Sequence, residues 1–515
     1  MSKMNRRDFL KTSAALMAGV TFAGASQVLS SPGSQTTRKP NILIFVFDAM
    51  SARHLSLYGY ERNTTPNLHK FAARASVYHR HYAAGNFTTT GTASLLTGLN
   101  PWTHRAINYR GMVDRHLAER NLFKSLGEEY TRLAFTQNLW ADILLSQFEA
   151  DIDIHLPCDS FSQFVHSSVQ PDDLPSDRGL AYYAFTDFFN LRVDDTHPFP
   201  GSLLIASADL TRALTVDRKH ISAKYPRGLP TNYDYSYENE NVLDGIGHLI
   251  NSSLAGAEPY LAYFHLWSPH DPYHPRRDFI GLFEPDLKLP EKPRHPFAGS
   301  NHPGQILRTY HRQYDEYIAD LDAEFGRLIA DLERAGILQN SYVIVTSDHG
   351  ELFERGEVGH ASALMYAPVT HVPLLISAPG QSAPSDFHSV TSNIDLLPTI
   401  MHIAGRKIPE WVEGKLLPGF GGTEEAERSI FPLMAKDNAA FRPLTHATFA
   451  MIKGGYELLY YTGYPGHPDQ YEFYHLDEDP NELQNLFSKD ITAASRMKNE
   501  LLEAIHVANR NFQMK

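Results

Sequence analysis

The chain has 515 residues, is 42% hydrophobic and carries a formal net charge of -13 at pH 7. A chain of this length can bury a large core, and we expect one large catalytic domain followed by a smaller one. The acidic charge argues against nucleic acid as a main partner, because the phosphate backbone is itself negative. The single cysteine, Cys158, excludes an internal disulfide framework.

Residues 1–25 predict a twin-arginine export signal. The segment from Asn5 to Lys11 contains paired arginines, an apolar run reaches from Thr12 to Phe22, and the small residues Ala23-Gly24-Ala25 form a cleavage site. The apolar run is too short to predict a transmembrane helix. Cleavage near Ala25 would remove a net charge of +3, taking the formal charge from -13 to -16. We expect the export machinery as a partner and a periplasmic or extracellular destination; an uncleaved anchor is the alternative.

Residues 26–39 predict a linker, because they are rich in Ser, Thr, Pro and Gly. No further segment is long and apolar enough to span a bilayer, so we expect no stable membrane span in the mature protein.

Continuous apolar runs typical of buried strands follow the linker: Asn41 to Phe47, Tyr260 to Leu266, and Ser341 to Thr346. An amphipathic helix is predicted between the last two, from Tyr314 to Gly336. Alternating strands and helices predict an α/β fold: a large, mostly parallel, doubly wound sheet flanked by helices, over residues 40–410.

Two regions depart from this pattern. Residues 151–258 are rich in aromatics, prolines and charges without a clear period, and predict an insertion on the substrate side. Residues 411–515 predict a smaller C-terminal α+β domain. Its expected strands and closing helix are Ala447 to Met451, Tyr456 to Tyr461, Tyr471 to Leu476 and Ser495 to Phe512.

Three segments bring chemistry to the expected carboxyl edge of the sheet. Asp48 follows the first strand, Thr88 precedes a helix, and Asp348-His349 follows a later strand. Carboxylates, an imidazole and a hydroxyl oxygen together form a plausible ligand set for a divalent cation. The helix start after Thr88 offers backbone N–H groups to an anion. Taken singly, each segment also fits an ordinary cap or turn.

The segment from Asn86 to Gly98 resembles the nucleophile segment of the sulfatase branch of the alkaline phosphatase superfamily. Counted back from Leu96-Thr97-Gly98, the nucleophile position falls on Thr88. Further segments match the family: Thr65-Pro-Asn-Leu68, Ser268-Pro-His-Asp-Pro-Tyr273, Thr346-Ser-Asp-His-Gly-Glu351, Asp395-Leu-Leu-Pro-Thr399 and Asp479-Pro-Asn-Glu482 with Asn485-Leu486. The chain is identified as a member of the sulfatase family from Pro40 to Leu486, and an alkaline phosphatase-like fold is implied.

The departures from the family pattern predict a changed reaction. Sulfatases use a formylglycine made from Cys or Ser, so Thr88 predicts that no formylglycine forms. Thr92 stands where the family has an arginine, and Ala49 where it has a second aspartate. Gln137 stands where the family has a lysine of the sulfate clamp.

The resemblance also implies roles for other side chains. The pair Asp348-His349 with a threonine nucleophile is similar to the phosphodiesterases and phosphotransferases of the superfamily. Because Ala49 replaces a carboxylate and His349 adds an imidazole, the expected metal is Mn or Zn, with Ca possible. His270 is expected to contact the transferred group, and His360 a phosphate oxygen or a second metal. His104 and Arg105 are candidate substrate contacts, although such residues more often shape a turn. Thr89, Thr90 and Thr92 are rival candidates for the nucleophile, but the spacing favours Thr88. His265 and His274, which flank His270, are expected to be structural or exposed.

These observations predict an exported, metal-dependent hydrolase or transferase that cleaves phosphate esters through Thr88. A phosphodiester or a phosphonate monoester is the expected substrate, an anionic ester in either case. One alternative is a sulfuric ester hydrolase that works without formylglycine. The other is a non-catalytic binding protein that retains the fold.

Overall fold

The structure is a computed structural model that describes residues 39–162, 164–165, 218–232, 235–257, 259–284, 290–489, 491–510 and 512. The predicted export signal, the linker up to residue 38 and residues 166–217 of the predicted insertion lie outside the described residues.

The described strands are β1 Asn41–Phe47, β2 Ser76–Tyr78, β3 His81–Tyr82, β4 Thr131–Thr136, β5 Ile154–His155, β6 Phe164–Val165, β7 Tyr235–Ser236, β8 Tyr260–Leu266, β9 Ser341–Thr346, β10 Leu352–Glu354, β11 Glu357–Gly359, β12 Leu374–Ser377, β13 Ser385–Phe387, β14 Thr391–Ser392, β15 Leu433–Met434, β16 Ala447–Lys453, β17 Tyr456–Thr462 and β18 Gln470–His475. The predicted strands β1, β8 and β9 have the expected bounds.

The α-helices are α1 Pro66–Ala72, α2 Thr88–Thr97, α3 Pro101–His104, α4 Leu122–Leu126, α5 Leu139–Gln147, α6 Arg218–Lys224, α7 Asn239–His248, α8 Gly304–Arg334, α9 Ala367–Thr370, α10 Leu396–Ile403 and α11 Ile491–Arg510. Helix α8, with 31 residues, starts ten residues before its predicted start at Tyr314.

The central sheet has eight strands in the order β13-β2-β12-β9-β1-β8-β4-β5. Strand β1 lies between β9 and β8 and is parallel to both. Strand β4 continues the parallel part beside β8, whereas β12 is antiparallel to both β9 and β2. The sheet is therefore mostly parallel, as predicted, and the carboxyl ends of β4, β8, β1 and β9 meet at one edge.

Helices cover both faces of the sheet. Side chains alternate between the two faces along each strand, so an apolar strand presents apolar side chains to both layers of helices. Leu43, Phe45 and Phe47 of β1 pack in one hydrophobic cluster with residues of α1, α7 and α8. Ile42 and Ile44 pack in another cluster with residues of α2, α4, α5 and α10. This two-sided burial confirms the doubly wound arrangement and explains why β1 is apolar from Ile42 to Phe47.

Residues near the C-terminus form a separate antiparallel sheet in the order β15-β16-β17-β18. Phe449, Leu458 and Phe473 on this sheet pack against Met497 and Leu501 of α11. The smaller α+β unit expected from the sequence is confirmed. Strands β16 and β17 extend beyond their predicted ends because their pairing continues toward the turns, and β18 starts and ends one residue before its predicted range. The closing helix α11 starts before the predicted Ser495 and ends at Arg510.

Helix α7 lies inside the range predicted as an insertion, yet it packs on α8 in the main core. Val242, Leu243 and Ile246 are buried there. The insertion boundaries stay a prediction. Within the described ranges, every helix is too short or too polar to cross a bilayer.

Candidate active site

The carboxyl edge of the sheet brings Asp48 and Asp348-His349 together. β1 and β9 are parallel neighbours, with Val46 level with Thr346, so the residues that follow the two strands meet beyond the same edge. The backbone N–H groups of Ala49 and His349 donate to Asp348 Oδ1 at 3.3 and 3.0 Å. These bonds hold one oxygen of Asp348 and leave Oδ2 turned toward Asp48.

Asp48, Asp348 and His349 offer ligand atoms that all lie within 4.8 Å of one another, and all three side chains are buried. Asp48 Oδ1 and Asp348 Oδ2 are buried atoms without a hydrogen-bond partner. Unpaired carboxylate oxygens in a protein interior are costly unless a cation or donor compensates them. The residue set therefore fits a divalent metal ion.

The imidazole of His349 is oriented to bind through Nε2. Its Nδ1 lies 2.9 Å from the carbonyl oxygen of Gly350, so Nδ1 carries the proton and donates. Nε2 lies 3.4 Å from Asp48 Oδ1 and 3.5 Å from Asp348 Oδ2. A carbonyl that fixes the tautomer in this way is typical of metal-binding histidines.

Thr88 occupies the first position of α2 and faces the same cluster. Its Oγ1 lies 3.4 Å from His349 Nε2 and accepts a 3.1 Å hydrogen bond from Asn138 Nδ2. Asn138 Nδ2 also donates to Asp48 Oδ2. One amide group thus ties the candidate nucleophile to a candidate metal ligand.

The two carboxylates respond differently to their common burial. Burial opposes ionisation of Asp48, but the adjacent imidazole of His265 and the charge of His270 hold its pKa well below the usual value. Burial, together with the negative charge of Asp48, raises the pKa of Asp348. Burial lowers the pKa of His349, yet Asp348 and Asp48 outweigh it and raise that pKa to about 9. The site is therefore one that concentrates negative charge and attracts cations.

His270 and His360 lie beside the cluster and differ in charge. Their ring centroids are 4.9 Å apart, and those of His360 and His349 are 4.2 Å apart. Burial opposes protonation of His270, but Asp271, whose Oδ1 lies 3.0 Å from Nδ1, raises the pKa of His270 to about 10. Burial and the neighbouring His349 and His270 lower the pKa of His360 well below its usual value.

The carboxyl group of Glu351 orients the ring of His360. His360 Nδ1 lies 2.8 Å from Glu351 Oε1. Burial raises the pKa of Glu351 to about 8. The Asn86 side chain donates to the carbonyl groups of His360 and Ser362 at 2.7 and 2.8 Å. The loop that carries His360 is therefore attached to the turn that carries Thr88.

Gly91 allows α2 to approach the end of β9. A Cβ atom at this position would lie 2.1 Å from the carbonyl oxygen of Asp348. That overlap involves backbone, which a rotamer change cannot relieve. We expect Gly91→Ala to lower the melting temperature and to displace Asp348, with metal uptake reduced at least about tenfold. Calorimetry and equilibrium dialysis measure both effects; Ala93→Gly, in the same helix, is the control for altered helix propensity. Unchanged metal uptake in Gly91→Ala would contradict the expectation.

The structure corrects the predicted substrate contacts of His104 and Arg105. His104 Nε2 lies 2.9 Å from Ser94 Oγ, and its Nδ1 accepts from the backbone N–H of Ala106 at 3.0 Å. Arg105 is 1% exposed; its guanidinium stacks on the ring of Phe512 at 3.6 Å and donates to carbonyl oxygens of the C-terminal region. Both residues stabilise the turn after α2 and make their contacts outside the cluster. Shaping a turn was the alternative role expected for them from the sequence.

A second group of possible ligands consists of the buried residues His54, His311 and Asp315. Asp315 Oδ1 bonds to His54 Nδ1 at 2.9 Å, and Asp315 Oδ2 accepts from Tyr60 at 2.6 Å and from Arg62 at 2.7 Å. The Arg62 guanidinium already neutralises this carboxylate. The group is therefore a satisfied ionic network, in contrast to the unpaired oxygens of Asp48 and Asp348.

The side chain predicted to replace the sulfate-clamp lysine points elsewhere. Gln137 Oε1 accepts from the backbone N–H of Trp267 at 3.1 Å. Its neighbour Asn138, which the sequence reasoning missed, reaches the site. The available signal was its place just after β4, a parallel neighbour of β8. His265, expected to be structural or exposed, is fully buried and lies 3.4 Å from Asp48 Oδ2.

An aromatic surface lies beside the segments that carry Thr88, Asn138 and His360. Tyr109 is 42% exposed, and its ring packs against those of Phe87 and Trp140 at 5.4 and 4.8 Å. Its hydroxyl donates to the carbonyl of Ala361 at 3.2 Å and accepts from Lys436 Nζ at 2.9 Å. We call Tyr109, Trp140 and Lys436 the rim.

The mixed sheet, its flanking helices and the small C-terminal sheet define a hydrolase fold of the alkaline phosphatase superfamily. The Sulfatase family model matches residues 40–406, and the chain therefore belongs to the sulfatase family. The model of the N-sulphoglucosamine sulphohydrolase C-terminal region matches residues 356–508. The sulfatase family is metal-dependent, consistent with the candidate ligands at the sheet edge.

Residues 3–23 match the twin-arginine translocation signal model, which confirms the predicted export signal and indicates a periplasmic or extracellular location.

Individual relatives are distant. The chain is 25% identical to a choline-sulfatase of Rhizobium meliloti (strain 1021), over 88% of this chain and 83% of that protein. It is 30% identical to arylsulfatase K of Bos taurus, over 38% of this chain and 36% of the bovine protein. Among solved structures, the phosphonate monoester hydrolase of Agrobacterium radiobacter superposes with a TM-score of 0.63 and 18% identity, over 92% of this chain and 96% of that one. At that identity the superposition shows the fold alone.

Proposed function

We propose that the protein is an exported, metal-dependent hydrolase or transferase that cleaves a phosphodiester or a phosphonate monoester through Thr88. The observation that carries the proposal is the placement of the Thr88 hydroxyl, 3.4 Å from His349 Nε2 in a cluster of buried acids. The family membership supports an ester of an oxyacid as the substrate. Threonine cannot give the aldehyde that a formylglycine sulfatase needs, so we expect no formylglycine.

The residues that would hold the metal are Asp48, Asp348, His349 and Thr88. A bound divalent ion would supply Lewis-acid chemistry, lowering the pKa of the Thr88 hydroxyl and neutralising charge on the transferred group. The imidazole of His349 favours Mn or Zn, whereas Ca, which prefers oxygen ligands, is the less suited option.

The chain itself positions both the nucleophile and the anion. Thr88 Oγ1 attacks phosphorus, its proton is released to solvent, and the bond to the leaving oxygen breaks as a phospho-threonine forms. Asn138 holds Oγ1 by a hydrogen bond from Nδ2. No side chain caps the start of α2, so the backbone N–H groups of its first turn can bind the phosphoryl oxygens.

Two imidazoles have distinct tasks in this scheme. With a pKa raised to about 10 by Asp271, His270 is protonated at neutral pH and can give its proton to the leaving alkoxide. His360, whose pKa is lowered by burial and by neighbouring cations, is neutral and can orient phosphoryl oxygens or the water that later cleaves the phospho-threonine. An acceptor alcohol in place of this water would make the reaction a transfer.

A paired assay tests the proposal. The mature protein, loaded with Mn²⁺ or Zn²⁺, is given a bis-aryl phosphate, an aryl phosphonate monoester and an aryl sulfate. We expect kcat/KM for one of the two phosphorus esters to exceed that for the sulfate. A preference for the sulfate would overturn the proposed substrate class and favour a sulfuric ester hydrolase.

The family membership and the relationship to a choline-sulfatase favour this second candidate, a sulfatase that uses unmodified Thr88. The third possibility, a binding protein without catalysis, is supported if neither ester type turns over and the metal-free protein takes up no manganese, zinc or calcium. The unpaired oxygens of Asp48 and Asp348 argue against it, because a scaffold alone does not require them.

The rim is proposed to contact the leaving group. We expect Trp140→Ala to raise KM for aryl esters by up to about tenfold with little change in kcat, because aromatic contacts contribute about 0.5–1.5 kcal/mol. Steady-state kinetics with aryl and methyl esters measure the difference between leaving groups. Trp411→Ala, at a partly buried indole beside Arg120, is the matched control. Equal effects on aryl and methyl esters would contradict the assignment.

A further inference from the structure

His265 lies on β8, at the same level of the sheet as Val46 of β1 and Thr136 of β4. Its side chain is fully buried. The Nδ1 atom lies 3.2 Å from the hydroxyl of Tyr263, two residues earlier on the same face of the strand. This contact fixes the plane of the ring and directs Nε2 toward the end of β1.

Nε2 of His265 is buried without a hydrogen-bond partner. It lies 3.4 Å from Asp48 Oδ2 and 3.6 Å from Asp348 Oδ2. The unpartnered Asp48 Oδ1 and Asp348 Oδ2 belong to the same two carboxylates. Three side chains from three strand ends therefore aim unsatisfied polar atoms at one region.

These separations have the size expected between ligands of one ion. Hydrogen bonds from nitrogen to oxygen have a typical length of about 2.9–3.0 Å, shorter than the contacts of His265. Two ligand atoms at about 2.0–2.2 Å from one ion, at a tetrahedral angle to each other, are about 3.3–3.6 Å apart. The two contacts of His265, at 3.4 and 3.6 Å, and those of His349, at 3.4 and 3.5 Å, fall in that range.

We propose that His265 Nε2 is a further ligand of the divalent ion, joining Asp48, Asp348, His349 and Thr88 in a set of two nitrogens and three oxygens. The inference rests on the metal site of the proposed function. Ala49 offers that site only its backbone N–H, which donates to Asp348 Oδ1, so its side chain supplies no ligand beside Asp48. A second imidazole makes the site selective for zinc or manganese over calcium.

Metal binding by the whole mature protein tests the assignment without reference to activity. Equilibrium dialysis against Zn²⁺, Mn²⁺ and Ca²⁺ is carried out on the wild type, His265→Gln and His265→Ala. We expect the zinc Kd to rise at least about tenfold in both variants, since even loss of an outer-shell partner costs about 10–100-fold. The Kd for calcium is expected to change much less. In the Co²⁺-loaded protein, the visible absorption bands should shift when His265 is replaced.

Two control variants separate ligation from packing. His104→Gln removes another buried imidazole, one whose nitrogens are bonded to Ser94 and Ala106, and should leave zinc affinity unchanged. Tyr263→Phe removes the hydroxyl next to Nδ1 and should weaken zinc binding less than His265→Gln does. Circular dichroism checks that each variant is folded.

The outcomes distinguish this inference from the proposed function. Unchanged zinc affinity and an unchanged Co²⁺ spectrum in both folded His265 variants would overturn His265 as a ligand and leave the metal site in place. Two ions in the wild type, only one of them lost with His265, would overturn the shared site. A wild type that takes up no divalent ion would overturn both proposals. Metal binding that needs His265, without phosphoesterase turnover, supports the ligand and removes only the proposed reaction.

Discussion

Thr88→Ala is expected to lower kcat for the preferred phosphorus ester by about 10⁴- to 10⁶-fold, the scale on which enzymes lose activity when a nucleophile is removed. The methyl group of alanine has no oxygen to attack phosphorus. The hydrogen bond from Asn138 Nδ2 to Thr88 Oγ1 would be lost as well. Stopped and continuous assays with the same ester, at saturating metal, measure the change in kcat and KM.

Conservative and neighbouring variants sharpen this prediction. Thr88→Ser keeps a hydroxyl and should retain measurable turnover. Thr90→Ser is the matched control, because a serine at position 90 can still donate to the carbonyl oxygen of Ala106 as Thr90 Oγ1 does. Mass analysis of the intact protein after brief exposure to substrate should show a phosphoryl adduct that maps to Thr88. Full turnover by Thr88→Ala, or an adduct on Thr89, would contradict the assignment.

Asp348→Asn is expected to abolish most metal binding and to lower kcat/KM by at least about 100-fold, because Lewis-acid stabilisation contributes several kcal/mol. The substitution removes the negative charge while keeping the shape of the side chain. An asparagine Oδ1 can still accept from the backbone N–H groups of Ala49 and His349. Equilibrium dialysis and steady-state kinetics give the two effects separately.

The same variant should behave differently in the absence of metal. Burial and the charge of Asp48 raise the pKa of Asp348, so its ionisation costs more free energy in the folded protein than in the unfolded chain. Replacing it with a neutral amide relieves that repulsion, and we expect the melting temperature in chelator to rise by about 1–3 °C. Asp322→Asn, at a carboxylate that accepts from Asn67 and Leu68, is the control for loss of a buried acid. A metal affinity equal to that of the wild type would contradict the role of Asp348.

The nucleophile segment and the strand ends could be predicted because their signals are local. An uninterrupted apolar run such as Ile42 to Phe47 is typical of a strand buried on both faces, and in a parallel sheet the residue after it lies at the ligand-binding edge. The same reasoning placed Asp348 and His349. The C-terminal strands were predictable for a related reason, because the alternation of apolar and polar residues and the flanking turn residues mark where each strand begins and ends.

Contacts that depend on neighbouring strands could not be predicted in the same way. Asn138 and His265 reach Asp48 because β4 and β8 lie next to β1, and this order is a property of the assembled sheet. A single histidine in an apolar strand, such as His265, can equally be a core residue whose ring nitrogens are hydrogen-bonded within the protein. Arg105 shows the opposite case, since a cation near the nucleophile helix turns toward the C-terminal region.

The sequence by itself determined the export signal, the mostly parallel sheet and the candidate residues Asp48, Thr88, Asp348 and His349, because hydrophobic periodicity and strand-end position are local properties of the chain. The tertiary structure alone decided which further side chains join them. The direction of a side chain is set by the strand order and by the carbonyl groups that packing brings near, and these belong to residues far apart in the sequence.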